Sequence, residues 1–462
     1  MSMKSTPAPP GLAPLSAPND LRIVGLMPRA RDGRLVLCMG AGASMDAGLP
    51  SGAALARAFC DRLSTHGIDL PGVNRDDLVA VSDAAVANGG LLVVQQIVVD
   101  VAPFASAVPS LAHRSIALLL LEGVAAILST NWDTCVERAA PTGEQILAIA
   151  TNDDRLSVRQ KGLLKVHGCA SRPDTVLITS AQLNAPPIWA DNEFGAHLAA
   201  SKVVFVGIGD VAGYVTIRVE RLISDLGPTK SVAVVTPNID TAWAKTRWAS
   251  LLPTLEPEDR FAMTAADFCD ALLRAWANDA LQIVENSAKD LSVEALTTAV
   301  DATVAVIRSH TADRFVRWLR GATPKIEPGR SALYGSAVVE GLCALAFFTQ
   351  AAVVQAIPES GPLTSDRGRI DLHVAYGGYS GPKAAQSARS RVAFHRSQGF
   401  LKPDEPITVI CAGQVGPLEP RRATDLAADI VAPTQPGDLI AGPQAGPTEL
   451  VSASAILEGM EI

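Results

Sequence analysis

The chain has 462 residues, of which 48% are hydrophobic and 19% are charged, and its formal net charge is −8. At roughly 150 residues per domain this length predicts two or three domains with sizeable cores. The acidic balance and the absence of a long Lys/Arg run argue against a large nucleic-acid footprint, so direct nucleic-acid binding is not expected. The seven cysteines form no C-x-x-C pair, which excludes a zinc ribbon and fits a reducing compartment. Because the N-terminus lacks a signal-peptide pattern, we expect a cytoplasmic protein.

Residues 1–20 contain five prolines among Ala, Ser and Thr, which predicts a disordered N-terminal tail. Residues 21–30 are predicted as a short helix or an extended lead-in.

The next stretch carries the strongest local signal in the chain. Leu35–Met39 is an apolar run typical of a strand buried on both faces, and it ends at Gly40, Gly42 and Ser44 before a helix that begins near Ser51. Glycine permits positive φ and close backbone approach, so a diphosphate can sit against the amides of such a turn. The alternative is an ordinary tight strand-to-helix turn, since the full G-x-G-x-x-G fingerprint is absent.

The segment of residues 66–110 is a candidate cover for a ligand cleft. Residues 76–88 are predicted to be helical, and periodicity leaves residues 91–101 open between a strand and a buried helix. Pro109 starts a further helix that ends near Gly123.

Further apolar runs predict more buried strands, each followed by a polar or glycine-rich cluster: residues 124–128, 163–166, 202–206 and 231–235, with a weaker candidate at 176–179. Alternating strands and helices predict an α/β fold with a Rossmann-like parallel sheet and helices on both faces. In such a sheet the carboxyl ends of the strands share one edge, where ligands bind. We therefore expect all the polar clusters at that edge.

The remaining chain shows helical character over 240–280 and again over 281–319, and a Pro-containing linker over 321–329. Residues 330–462 combine a long apolar helix (333–354), for which a buried core helix is favoured over a membrane span, strands at 370–375 and 407–411, and a Pro/Gly-rich tail (417–447). We predict three parts: the tail of residues 1–20, a ligand-binding domain of residues 21–280, and a C-terminal region of residues 281–462 that is helical and then mixed α/β.

The residue types at the strand ends suit an adenine dinucleotide. The amides of Gly40–Ser44 can cradle phosphates, Asn131 and Asp133 can hold sugar hydroxyls or a carboxamide, and Asn238 is placed for an adenosine ribose. His167 has the chemistry for proton transfer from a ribose hydroxyl or a water. Its alternative role is to cap a helix or loop.

Five motifs in this order resemble those of the sirtuin superfamily: Gly40-Ala-Gly-Ala-Ser44 with Ala47-Gly48-Leu49-Pro50, Pro109 with Ala112-His113, Ser129-Thr-Asn131-Trp-Asp133, Lys165-Val-His167-Gly168, and Gly207 with Gly209. The resemblance covers about residues 30–280. It is closer to the divergent prokaryotic sirtuin-like domains, which lack the zinc ribbon, than to the protein deacylases.

The resemblance implies that NAD is bound as a substrate and that no metal is needed. Carried over to this sequence, it makes Asn131 the residue that orders the attacking water, His167 the general base and Asp133 a contact of the carboxamide. The implied NAD contacts are Gly40, Ala41, Gly42, Ser44, Thr130, Gly207, Gly209 and Asn238. His113 matches a position that opens a helix, and we interpret it as structural.

Departures from the deacylases point to a different reaction. The zinc ribbon is absent, Pro50-Ser51-Gly52-Ala53 replaces Pro-Asp-Phe-Arg, and Gly209 stands where a serine often contacts phosphate. Relatives of this kind typically cleave NAD to nicotinamide and ADP-ribose, often as anti-phage defence effectors that deplete cellular NAD. We expect such a gated NAD glycohydrolase, which forms a homo-oligomer or answers a protein trigger through residues 281–462.

Three alternatives remain open. The domain could bind NAD or ADP-ribose without cleaving it and regulate a partner such as a ring-shaped translocase ATPase. It could be a protein deacylase, which the missing zinc ribbon disfavours. The third alternative is a nuclease. It is suggested by three carboxylates near predicted strands, Asp366, Asp371 and Glu405, although no convincing lysine partner accompanies them.

Overall fold

The computed structural model describes residues 11–12, 18–157, 162–209, 220, 232–239, 249, 255–323, 326–349, 357–358, 361–365, 368–375, 379–416, 418 and 447–459. The chain divides into two compact units, Leu15–Leu273 and Arg274–Ile462 with Met1–Pro14. The domain boundaries predicted at residues 20 and 280 stay predictions. Most of the predicted tail of residues 1–20, of residues 240–254 and of the Pro/Gly-rich stretch lies outside the described residues.

The first unit contains a seven-stranded sheet whose paired strands all run parallel, in the order β3-β4-β2-β1-β5-β6-β7. The strands are β1 Leu35–Met39, β2 Ala126–Ser129, β3 Ala148–Ile149, β4 Leu163–Lys165, β5 Lys202–Val206, β6 Val232–Val235 and β7 Arg260–Phe261. The five strong apolar runs in the sequence correspond to β1, β2, β4, β5 and β6. The predicted Rossmann-like parallel sheet is therefore confirmed.

Both faces of this sheet are covered. Val36 and Cys38 of β1 pack in one cluster with Phe194 and Leu198 of a flanking helix. Leu37, which points to the opposite face, is also fully buried. This double burial explains why the strands appear in the sequence as continuous apolar runs instead of an alternating pattern.

The described helices of the first unit are α1 Pro18–Val24, α2 Met27–Arg31, α3 Gly52–Thr65, α4 Leu78–Gly89, α5 Leu91–Val99, α6 Leu111–Leu121, α7 Cys135–Arg138, α8 Asn152–Ser157, α9 Ser180–Asn184 and α10 Ile188–Ala200, and α11 Ala265–Asp290 continues into the second unit. Side chains cap α3 and α4: Ser51 accepts the Ala54 amide, and Asp77 accepts the Val79 amide. The ambiguous segment of residues 91–101 resolves as a helix, α5.

The weak strand candidate at 176–179 is wrong. Pro173–Thr175 forms a 3₁₀ turn, and Thr179 caps α9. The carboxamide oxygen of Gln182 accepts the amides of Ile178 and Thr179 over 3.0 and 3.2 Å. Because a side chain satisfies these backbone donors, the segment needs no neighbouring strand.

The second unit contains a four-stranded mixed sheet in the order β11-β10-β9-β8, in which only β8 and β9 pair antiparallel. Its strands are β8 Leu363–Ser365, β9 Gly368–Val374, β10 Ile407–Ala412 and β11 Thr448–Ser452. Its further described helices are α12 Glu294–Ser309, α13 Ala312–Ala322, α14 Ser336–Thr349, α15 Gly381–Ser397 and α16 Ala453–Glu458. The prediction of helices followed by a mixed region is confirmed, and β8 and β11 are strands that the sequence reasoning missed.

Among the described helices, none has both the length and the apolar character needed to cross a membrane.

Candidate active site

A cavity of about 790 Å³ lies at the carboxyl ends of β4, β2, β1 and β5 in the first unit. This volume falls within the roughly 300–1,000 Å³ typical of small-molecule sites. Eight of the eleven predicted site residues line it: Gly40, Ala41, Ser44, Thr130, Asn131, Asp133, His167 and Gly209. Gly42, Gly207 and Asn238 are not among the described lining residues. The sheet therefore brings most of the predicted site to one edge.

Gly42 and Gly207 join two loops of the cavity wall. The Gly42 amide donates to the Gly207 carbonyl oxygen over 2.8 Å. A Cβ on Gly42 would come within 2.7 Å of that oxygen, and a Cβ on Gly207, whose φ is 63°, would come within 2.6 Å of the Ala43 nitrogen. Only glycine fits such an approach without displacing backbone. Gly42 and Gly207 therefore contact each other, and their predicted contacts with NAD stay predictions.

Fewer amides of the glycine loop are available to bind a phosphate than the sequence indicated. The amides of Gly40, Ala43 and Ser44, like that of Gly42, donate to backbone carbonyl oxygens over 2.8–3.0 Å. Within the described part of the chain this leaves the amide of Ala41 as the loop donor for a phosphate. The loop itself forms two short 3₁₀ turns, which account for these internal bonds.

The hydroxyl of buried Ser44 is the centre of a polar network. It donates to Oδ2 of Asp133 over 2.8 Å and accepts from Nδ2 of Asn131 over 3.1 Å. Nε2 of His113 lies 3.1 Å away on its remaining side. Because a hydroxyl has one proton and two lone pairs, these partners use its full capacity. A phosphate contact by this side chain would have to replace one of them.

His113 has both the predicted structural role and a second contact that the sequence did not reveal. Its Nδ1 accepts the Ser110 amide over 3.2 Å and completes a capping box at the start of α6. That bond places the proton on Nε2, which donates to Ser44. Burial lowers the pKa of His113, and the charge of Asp133 offsets this only in part. Although Asp133 Oδ1 lies 3.8 Å away, the neutral imidazole makes no ion pair with it.

The amide group of Asn131 is oriented by the fold. Its Nδ2 donates to the Gly40 carbonyl oxygen over 2.9 Å as well as to Ser44. Both protons of the amide group are therefore engaged, and Oδ1 is the atom left to accept a hydrogen bond from a ligand or water. Thr130 next to it donates its hydroxyl to the Met39 carbonyl oxygen over 3.0 Å.

His167 follows β4 and faces the same cavity. Desolvation lowers the pKa of its imidazole to about 4. At neutral pH the ring is therefore uncharged and able to accept a proton. The depressed pKa also makes it a weaker base than an ordinary histidine.

Lys165, which the sequence analysis named only as part of a motif and without a role, is a buried residue beside the site. Its side chain is fully buried at the end of β4 and forms an ion pair with Glu137 over 3.1 Å. It also donates to the carbonyl oxygens of Trp132 and Asp133. The available signal was a lysine within an otherwise apolar strand, because a lysine is almost never fully buried unless it is paired.

The segment predicted to cover the cleft contributes to the cavity wall. Phe104 lines the cavity and meets Trp132 edge to face, with ring centroids 5.9 Å apart. Asp76 and Asp77 line it beside the start of α4. Asn238, by contrast, is exposed in the turn after β6. The predicted contact of Asn238 with an adenosine ribose stays a prediction.

His113, Asp133 and Cys135 place one potential metal ligand each within 4.8 Å of one another. These atoms fit a hydrogen-bond network better than a metal site. Asp133 accepts Ser44 and the Cys135 amide, and burial raises the pKa of Cys135 to about 12, so the thiol keeps its proton.

The nuclease carboxylates do not form a site in the described residues. Asp371 is fully buried, and Arg391 donates to both of its oxygens over 2.7 and 3.2 Å. Glu405 accepts the Lys402 amide over 3.1 Å in a different loop. Asp366 lies outside the described residues.

A family model described as a SIR2-like domain matches residues 125–251. No curated protein matches the chain. Among solved structures, the chain is similar to a mutant Sir2 homologue in complex with ADP-ribose, with 14% identity, a TM-score of 0.31 and coverage of 54% of this chain and 93% of that chain. It is also similar to Sir2Tm bound to a propionylated peptide, with 16% identity, a TM-score of 0.30 and coverage of 53% and 94%.

The parallel sheet with a polar cavity at its carboxyl edge is a Rossmann-like α/β fold with a candidate ligand site. Residues 125–251 of this unit match the SIR2-like domain model, so the chain carries a SIR2-like domain.

Proposed function

We propose that this protein is an NAD glycohydrolase that cleaves NAD to nicotinamide and ADP-ribose. The observation that carries the proposal is the placement of Asn131, His167 and the glycine loop around one cavity of a SIR2-like domain. NAD enters as the substrate, and the reaction needs no metal.

The reaction depends more on the positioning of the ribose and the attacking water than on a strong acid or base. The bond to nicotinamide is already activated by the pyridinium charge, so the site has to stabilise an oxocarbenium-like ribose and deliver a water. Oδ1 of Asn131 can accept a hydrogen bond from that water or from a ribose hydroxyl, since its Nδ2 is engaged by Gly40 and Ser44. The neutral imidazole of His167 then takes the proton that the water loses as its oxygen bonds to the ribose carbon and the bond to nicotinamide breaks. Asp133 acts through Ser44 in this proposal, because its carboxylate is bound inside the network.

Nicotinamide release from NAD tests the proposal. Asn131→Ala and His167→Ala should each lower the rate by about 10²–10⁴, the range of general acid–base groups. His66→Ala is the matched control, because His66 is an exposed histidine in the turn after α3 and is not among the described lining residues. Equal rates for His167→Ala and His66→Ala would contradict the role of His167.

A second candidate is a sensor that binds NAD or ADP-ribose without turnover and regulates a partner such as a ring-shaped translocase ATPase. The depressed pKa of His167 favours it, because a weaker base supports slower proton transfer. The products separate the candidates. A hydrolase yields free ADP-ribose, a sensor yields none, and a deacylase, the least favoured reading, yields O-acyl-ADP-ribose.

We further propose that the enzyme is a gated, cytoplasmic effector of bacterial anti-phage defence. An ungated NAD hydrolase would exhaust its own cell, so a trigger or a change of homo-oligomeric state has to control it, and residues 281–462 are the candidate region for that control. The test is cellular NAD after phage challenge. Depletion in wild-type cells that is absent with His167→Ala supports the role, and NAD levels that do not respond to the challenge contradict it.

A further inference from the structure

The buried ammonium of Lys165 connects two loops that carry the proposed reactive groups. It donates to the carbonyl oxygen of Trp132 over 3.3 Å and to that of Asp133. Those two residues directly follow Asn131, while His167 comes two residues after Lys165 itself. One side chain therefore connects the loop of Asn131 to the strand of His167.

The sheet does not provide this connection by itself. The ladder between β2 and β4 ends with the pair Ser129 and Lys165. Beyond it, the Val166 amide donates to the Ser129 carbonyl oxygen over 3.0 Å, and the Ala170 amide donates to that of Trp132 over 2.8 Å. The carbonyl oxygen of Asp133, one residue beyond Trp132, accepts a hydrogen bond from the ammonium of Lys165. The lysine thus supports the loop where the regular ladder has stopped.

We propose that Lys165 is a positioning residue that sets the placement of Asn131 relative to His167, with Glu137 as its counter-ion. This role rests on the proposed hydrolysis. The ammonium acts through backbone carbonyl oxygens and not on the substrate. Its loss should therefore lower the rate of the chemical step more than the affinity for NAD, because small displacements of reacting groups reduce the rate steeply.

The competing explanation is that the Lys165–Glu137 pair contributes only to stability. The same sheet offers a matched pair for comparison. Lys202, at the start of β5, pairs with Asp259 over 2.7 Å and donates to the Val232 carbonyl oxygen over 3.2 Å. Lys202 is likewise buried and, like Lys165, is not among the described residues that line the cavity, but it lies at the amino end of its strand, opposite the edge that carries the cavity.

Paired substitutions avoid an uncompensated buried charge. Lys165→Met alone leaves the Glu137 carboxylate unpaired and should lower Tm by about 10 °C. Lys165→Met combined with Glu137→Gln removes both charges and should restore most of that loss, as buried ion pairs often tolerate neutral replacements. Lys202→Met combined with Asp259→Asn is the control. Tm, kcat and KM for nicotinamide release are measured for the full chain in each case.

The proposal predicts that the Lys165/Glu137 double variant, at a Tm close to that of the control double variant, has a kcat about 10–100-fold below wild type and a KM within about threefold. The control double variant should keep kcat within about twofold. Equal kcat values for the two double variants would overturn the positioning role.

A failure of the proposed function has a different signature. If wild type releases no nicotinamide even in the presence of its trigger, hydrolysis is contradicted, and crystal structures of the two double variants then test Lys165. An Asn131 amide displaced relative to His167 in the Lys165/Glu137 double variant but not in the control supports the positioning role. The same placement of Asn131 in both double variants would overturn it.

Discussion

Each unit of this chain contains a buried aspartate in a network that includes a histidine. In the first unit Asp133 accepts from Ser44, which also contacts His113. In the second unit Asp371 accepts from Arg391 and lies 3.0 Å from Nε2 of His395. The first network borders a cavity of about 790 Å³, whereas Asp371 is fully enclosed between its sheet and α15.

The difference shows what turns such a network into a candidate site. Burial raises the pKa of Asp371, but the charge of Arg391 and the bond from His395 more than offset it, so its pKa lies well below the usual range. The negative charge of Asp371 is therefore compensated by Arg391 and His395. Around Asp133 the network holds Asn131 with one acceptor atom left over. We therefore expect the second network to affect only stability and the first to affect turnover as well.

The largest effect on stability is expected from Asp371→Ala. It leaves the Arg391 guanidinium buried without its partner, which should cost about 3–5 kcal/mol of unfolding free energy. Urea unfolding measures this loss, with Asp404→Ala, an exposed aspartate, as the control. A loss below about 1 kcal/mol would show that the ion pair of Asp371 and Arg391 contributes little to stability.

Acid should destabilise the second unit through His373. Burial, reinforced by the charge of Arg391, lowers the pKa of His373 to about 4. Between pH 6.5 and 4 the unfolded chain binds a proton that the folded chain refuses, so stability falls as pH falls, by about 3 kcal/mol for this residue. His373→Leu should flatten that part of the stability curve. An unchanged slope would contradict the assignment.

His167, the histidine of the first unit that faces the cavity, should determine the acid side of the pH–rate profile. Because the pKa of His167 is about 4, the acid limb of kcat/KM for nicotinamide release should lie near pH 4 and not near 6.5. The pH–rate profile of the wild-type enzyme measures it. A limb at 6.5 would show that another group is the base or that His167 is exposed to solvent during turnover.

Gly207→Ala should damage the loop contact that supports the cavity. Its φ of 63° and its 2.6 Å Cβ distance to the Ala43 nitrogen predict a loss of about 1–3 kcal/mol. Gly209→Ala is the stability control, since a Cβ there meets no atom within 4 Å. Similar thermal unfolding of the two variants would argue against the close approach of the loops.

Ser44→Ala should separate turnover from stability in the first network. Asn131, His113 and Asp133 each lose one hydrogen-bond partner, which should cost about 1–3 kcal/mol. Asn131 also loses one of the two bonds that orient it, so we expect nicotinamide release to fall by about 10–100-fold. Urea unfolding and the release assay are compared on the same preparation. Full activity would show that Ser44 does not orient Asn131.

The sequence predicted the strands of the two units and the polar network of the first unit only in part. The strong strands of the first sheet were predictable because they are buried on both faces, and their polar ends follow from the parallel topology. The Ser44 network was not, because its partners lie 69 to 89 residues away and only the folded sheet brings them together. The two-residue strands β3 and β7 are too short for periodicity. In the second unit, β11 is only partly buried and lacks the apolar run that marked the first sheet.

The proposed function requires that the cavity at the carboxyl edge of the first sheet cleaves NAD. The most direct test is to incubate the purified full chain with NAD and to quantify nicotinamide and ADP-ribose, with Asn131→Ala and His167→Ala in parallel. We expect equimolar nicotinamide and ADP-ribose from wild type and a rate lower by about 10²–10⁴ in both variants. Tight ADP-ribose binding without any NAD cleavage, in the presence of the activating partner or after phage challenge, would contradict it and favour the sensor.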